Sequence, residues 1–194
     1  MTQNCTPIAA NILFDCAKNL VAGVKDTIIL LPFDDVDKTL STLDVTNKSL
    51  LTNLVMKSTK IGYKVEGVNF SNDFEVSLAK GKYWNEVEQN IMFRIFDISA
   101  DTKDWIEKLW KMRVMVVVIN NVATGNGAVK YELLGWDLGL EVTELTRNQS
   151  DAETKGAYVL KLACDETNKE SKLPLTVFKT DEATTDTMIA ALTA

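Results

Sequence analysis

The 194-residue chain contains no histidine. That absence removes the Ser-His-Asp triad, the Cys-His pair and any His-ligated zinc. Its three cysteines, Cys5, Cys16 and Cys164, form no CxxC pair and are too few for a four-thiolate site. An odd, scattered set of this kind points to synthesis in a reducing compartment. Catalysis would fall to carboxylates, lysine or tyrosine alone, so the expectation is a protein that is not an enzyme and that carries neither metal nor cofactor. Long apolar runs are missing too. The longest, residues 114–119, is far short of the roughly 20 residues a membrane helix needs. The N-terminus lacks a basic stretch leading into a compact apolar run, so no secretory signal is expected and the chain reads as soluble and unprocessed. Three prolines and no evident repeat leave nothing to divide the chain. One domain spanning residues 1–194 follows, with residues 1–25 as an extended segment that orders on assembly.

Hydrophobic residues make up 46% and charged residues 25%, the composition of an ordinary globular protein. The 27 carboxylates outnumber the 21 Lys and Arg, for a net charge of −6. A surface of that sign does not wrap nucleic acid tightly, because affinity comes from neutralising phosphates. DNA can still slide past it.

Alternation with period two is the main structural signal. Ile61, Tyr63 and Val65 alternate with polar residues; Val68, Phe70, Phe74, Val76 and Leu78 share a face; so do Val87, Ile91, Phe93 and Ile95, and then Tyr158, Leu160, Leu162 and Cys164. Half-buried antiparallel strands produce this pattern. The run from Arg113 to Ile119 reads as a central strand buried on both faces. One segment, about residues 100–112, changes to helical period, with Trp105, Ile106, Leu109 and Trp110 on one stripe and Asp101 as N-cap. Weaker helical signals cover residues 11–24 and the tail from Thr185, whose apolar side is Met188, Ile189 and Leu192. Residues 146–156 and 165–172 read as polar connections. The fold class is α+β, a mainly antiparallel β-sandwich or barrel with one flanking helix.

Residues 118–142 hold four of the nine glycines, which raises the question of a phosphate loop. Gly125 and Gly127 lack the third glycine and the following helix of a dinucleotide fingerprint, and no Walker sequence occurs. VATGNGA, residues 122–128, reads instead as a hairpin turn. Leu134, Trp136, Leu138, Leu140 and Val142 then alternate with Gly135, Asp137, Gly139 and Glu141. That pattern predicts one long strand, bulged near Gly135, whose two glycines leave a bare strip for another chain. Asp34, Asp35 and Asp37 lack the glycine and ligand count of a calcium loop and read as a solvated turn. Asp137, Glu141 and Glu144 have no fixed separation that would make a glycosidase pair. Tyr83 and Trp84, beside a turn at Gly81, are core aromatics or interface anchors.

The opening NCTPIAANILFDCAKNLVAGVKDTIILLPFDDV, a helix leading into RVMVVVINN, and NGAVKYELLGWDLGLEVTELTRNQSD follow one another in a familiar order. This arrangement resembles virion structural proteins of Bacteroides-infecting, crAss-like phages, similar to tail-tube and tail-ring subunits. The likeness runs over most of the chain and is most specific in residues 131–151. It implies a tail-tube-like subunit of a homo-oligomeric ring or tube in the tail or neck, made in the host bacterial cytoplasm and located in the virion. Its partners would be copies of itself and other tail, neck or portal proteins, with DNA passing through the channel without specific binding and with no membrane. Candidate interface residues are Tyr83, Trp84, Thr124, Gly125, Asn126, Gly127, Gly135 and Gly139. Two rivals remain: a glycan-binding or adhesin-type β-sandwich using Tyr83 and Trp84, and an enzyme working through Glu141 and Glu144.

Overall fold

The structure is a computed structural model that describes residues 20–68, 71–80, 85–122 and 127–194. Its first half contains β1 (Leu20–Val24), β2 (Thr27–Pro32), β3 (Thr42–Leu43), β4 (Leu50–Asn53), β5 (Tyr63–Glu66), β6 (Asp73–Lys80) and β7 (Asn85–Ile95). Helix α1 (Ala100–Leu109) follows, then β8 (Val114–Val122), β9 (Tyr131–Leu134), β10 (Glu141–Thr146), β11 (Tyr158–Ala163), β12 (Leu175–Val177) and α2 (Glu182–Ala191). The larger sheet has the order β3-β4-β12-β9-β8-β2-β5, with β1 also paired to β8; the smaller has the order β10-β11-β7-β6. The chain is thus mainly β with two helices, arranged as two sheets around a shared core.

The centre of the larger sheet, β2 and β8, is buried on both faces. In β2 and β8, Ile28, Leu30, Val114, Val116 and Val118 face the smaller sheet, where they meet Ile91, Phe93, Leu160 and Leu162. Helix α1 adds Ile106 and Leu109 to this core. The alternate residues Ile29, Leu31, Met115 and Val117 face away, onto Met188 and Ile189 of α2 and onto Leu192. Each such side chain contributes roughly 1.5–3 kcal/mol on leaving water. The expected two-sided strand at 113–119 is therefore present as β8. The alternations in β7 and β11 also fall as expected, with polar Gln89 inserted among the inward residues of β7.

Several expectations need correction. Within residues 11–24, the described part, 20–24, is the strand β1 and not a helix. The alternation at 68–78 begins as a strand only at Asp73, since Ser71 and Asn72 are buried polar residues bonded to Val68 and to the segment between β1 and β2; Asn69 and Phe70 lie outside the described residues. Asn72 Nδ2 donates to the Asp26 carbonyl at 2.7 Å, and Ser71 Oγ accepts from Val68 N at 3.0 Å. Helix α1 is capped by Ser99 and not Asp101, with Ser99 Oγ accepting from Thr102 N at 3.2 Å. It also ends at Leu109, which leaves Trp110 at the C-cap, outside the buried stripe. The tail helix starts three residues before Thr185, because Asp181 caps it and Thr184 completes a capping box.

The largest correction concerns residues 134–142. They are not one long strand. β9 ends at Leu134 in the larger sheet and β10 begins at Glu141 in the smaller one, so residues 135–140 carry the chain between sheets. Gly135 (φ +76°) and Gly139 (φ +83°) adopt left-handed backbone that side-chain-bearing residues avoid. A register shift does occur, but between Val142 and Glu144 of β10. The hairpin expectation agrees with the pairing of β8 and β9, which runs antiparallel from Val116↔Leu134 to Ile119↔Tyr131.

Candidate subunit interface

The crossing loop is held from beneath by Glu170, a side chain only 1% exposed. Glu170 Oε2 accepts from Asp137 N at 2.7 Å, and Oε1 accepts from Leu138 N at 2.9 Å and Gly139 N at 3.2 Å. Burial pushes this carboxyl above its ordinary range, while the three amides pull the other way. Gln89 Oε1 accepts from Gly135 N at 2.9 Å, and its Nε2 donates to the Lys172 carbonyl at 2.8 Å. Ser171 Oγ donates to Asp137. From the other side, Lys38 Nζ donates to the Trp136 carbonyl at 2.8 Å and lies 4.0 Å from the Phe33 ring centre, while Arg113 Nη1 donates to the Leu138 carbonyl at 3.0 Å. The segment 165–172 is therefore more than a polar connection, because it delivers a buried anchor.

This geometry says what packs on the two late glycines. A Cβ at Gly139 would stand 2.8 Å from Phe33 Cδ2 and 3.2 Å from Arg113 Cβ; one at Gly135 would meet Leu140 at 3.1 Å. Both glycines are buried within their own chain, so the bare strip expected on a strand face does not exist. Gly127 is covered by the Glu182 side chain of α2. Nearby, Lys130 Nζ lies 2.8 Å from Asp186 and 3.1 Å from Glu182, and Tyr131 Oη donates to Asp186 at 2.7 Å, fastening α2 to β9. Tyr83, Trp84, Thr124, Gly125 and Asn126 lie outside the described residues. The described strands on either side are antiparallel pairs, with Lys80 opposite Asn85 in one and Ile119 opposite Tyr131 in the other.

The acidic candidates sit apart from one another in role. Asp35 pairs with Lys60 at 3.2 Å. Asp37 Oδ1 accepts from Thr39 Oγ1, Thr39 N and Leu40 N, and the Thr39 hydroxyl leads in holding its carboxyl below the ordinary range. Asp137 belongs to the crossing loop, whereas Glu141 and Glu144 belong to β10. Among the described residues, no group of three or more His, Cys, Asp or Glu is gathered to hold a metal ion. Among the same residues, no helix is long and apolar enough to cross a membrane.

A surface that the sequence did not single out lies at the C-terminal end of α1. Trp110 is 45% exposed, Tyr63 44% and Met112 38%, and Ile61, two residues before Tyr63, is exposed as well. Two adjoining depressions share Pro32 and Met112. One is an apolar cleft of ≈ 230 Å³ between Leu30, Tyr63, Trp105 and Leu109. The other is an open groove of ≈ 460 Å³ bounded by Phe33, Asp34, Trp110, Arg113 and Glu141. Among the described residues, Tyr63 opens β5, which ends one side of the path of the larger sheet; β3 ends the other, β1 pairs with β8 alone, and β6 and β10 border the smaller sheet. Backbone groups on the free side of such strands are available for pairing. An aromatic and methionine surface beside a free edge is the composition of a protein contact. The signal in the sequence was Trp-Lys-Met-Arg at the end of a helical stripe, which periodicity alone assigned to the core. Compared with protein-family models, with curated proteins and with solved structures, the chain matches none.

Proposed function

We propose that the protein is a structural subunit of a phage virion that assembles into a homo-oligomeric ring or tube of the tail or neck around the DNA channel. It acts by shape, without catalysis or cofactor, and is incorporated into the virion after synthesis in the host cytoplasm. The observation that carries assembly is the exposed Tyr63–Met112–Trp110 surface beside the free edge of β5. Large apolar side chains grouped on a surface are characteristic of interaction sites. The resemblance of residues 131–151 to tail-tube and tail-ring proteins supplies the kind of assembly. A net charge of −6 suits a lumen past which DNA moves without being retained.

Light scattering coupled to gel filtration, with electron microscopy of the purified full chain, tests the reading. Rings or tubes of many copies are expected. A chain that stays monomeric at high concentration and is missing from purified virions overturns it.

A further inference from the structure

Val45 is 86% exposed, yet the turn that carries it is rigidly built. Asp44 Oδ1 accepts from Thr46 N at 2.9 Å and Asn47 N at 2.7 Å, and Asp44 N donates to the Leu50 carbonyl at 2.9 Å. Lys48 Nζ closes back on the Asp44 carbonyl at 3.0 Å, and Ser49 N donates to Asn47 Oδ1 at 3.1 Å. A flexible loop can turn an apolar side chain away from water, but this turn holds a β-branched residue out into it. Val45 gains no burial from its own fold.

The apolar cleft is the matching feature, and it lies at the opposite border of the same sheet. Val45 sits between β3 and β4 at one end of the order β3-β4-β12-β9-β8-β2-β5, and Tyr63 begins β5 at the other. The cleft is small, ≈ 230 Å³, and walled by Leu30, Pro32, Tyr63, Trp105, Leu109 and Met112. We propose that Val45 of one copy seats in this cleft of a second copy, joining them head to tail. A projection and a recess on different surfaces make a heterologous contact, which repeats from copy to copy and closes into a ring when the rotation allows. Strand polarity agrees with it. β4 and β12 are parallel and every other pairing along the path is antiparallel, so β3 and β5 point in opposite directions. Copies set side by side in the same orientation then bring β3 and β5 together as antiparallel edges. Asp44 beside the projection is negative and Lys108 on the cleft wall positive, Lys108 being paired within its own copy with Asp104 at 2.5 Å.

The contact rests on the ring reading above and names its interface. Mass photometry of the full chain compares the wild type with Val45→Asp and Met112→Asp, with circular dichroism confirming that each folds. Because Val45 is exposed, its substitution leaves the monomer intact. The concentration needed for assembly is expected to rise about tenfold or more in both variants, the effect of losing a central apolar contact. A photo-crosslinking phenylalanine at position 45, in a mixture of heavy- and light-isotope chains, is expected to join different copies at Tyr63, Trp105 or Met112. Assembly that survives Val45→Asp, or crosslinks that land elsewhere, overturn the contact while leaving the ring reading standing. A wild type that never assembles overturns both.

Discussion

Glu170 is a buried carboxylate held by three backbone amides, and the loop it holds is the passage from one sheet to the other. Glu170→Ala removes the acceptor while leaving the amides enclosed, and should lower stability by on the order of 3 kcal/mol in urea denaturation. Glu170→Gln keeps one acceptor oxygen but turns a donor toward the amides, so it should fall between the two. Gly139→Ala combines left-handed backbone with a Cβ against Phe33, and a loss of about 2 kcal/mol is expected by the same measurement. At this scale the sequence was legible in part. Glycine signalled an unusual backbone at 135 and 139, but neither side-chain parity nor composition named the residue, 31 positions away from Gly139, that fixes it.

Helix ends provide the tests at the level of elements. Around Ser99, the Asp97 carboxylate accepts from the Ser99 amide and hydroxyl and from the Thr102 hydroxyl. The Thr102 and Ser99 hydroxyls hold its carboxyl down to about 2, below the ordinary 3.8. Asp181 at the start of α2 is lowered as well, chiefly by the Thr184 amide. A depressed folded value means that the stabilisation is complete above the unfolded value and disappears as pH falls through the folded one. Thermal unfolding should therefore show stability decreasing from about pH 4 toward pH 2, with the slope reduced in Asp97→Asn. Ser99→Ala should cost about 1 kcal/mol through loss of the cap. At the other helix, Asp186→Ala removes the Tyr131 bond to α2 and leaves Lys130 only its contact with Glu182. Hydrogen exchange in residues 182–191 should speed up before that of β8, because α2 covers the outer face of the sheet whereas β8 lies at its centre.

For the whole molecule, the two-sided burial of β2 and β8 leaves the sheet edges, the outer face of the smaller sheet and the end of α1 among the surfaces open to partners. The proposed assembly and the −6 charge together predict weak retention of duplex DNA. A gel-shift measurement at physiological salt should show no complex even with the assembled form. A salt-sensitive, tight complex would count against a channel past which DNA slides. Most of the architecture at this scale could be read in advance: mainly antiparallel strands, a helix near 100–112, and a strand without a wet face at 113–119. The candidate surface was not. Trp110 follows the buried pair Ile106 and Leu109 at helical spacing, but the helix stops at Leu109 and the stripe no longer applies to the next residue.

Local patterning by itself placed the half-buried strands β7 and β11, the strand β8 buried on both sides, and the VATGNGA segment between antiparallel partners. These are short-range consequences of side-chain period and turn chemistry, which neighbouring residues set. Only the tertiary structure decided that the alternation from Leu134 to Val142 is broken and shared between two sheets. Alternation is the same whether a segment continues in one sheet or crosses to another; the difference lies in Gln89, Arg113 and Glu170, which reach the loop from distant parts of the chain. It also placed Val45 and the Tyr63 cleft at opposite borders of one sheet, a relation that depends on strand order and not on sequence distance.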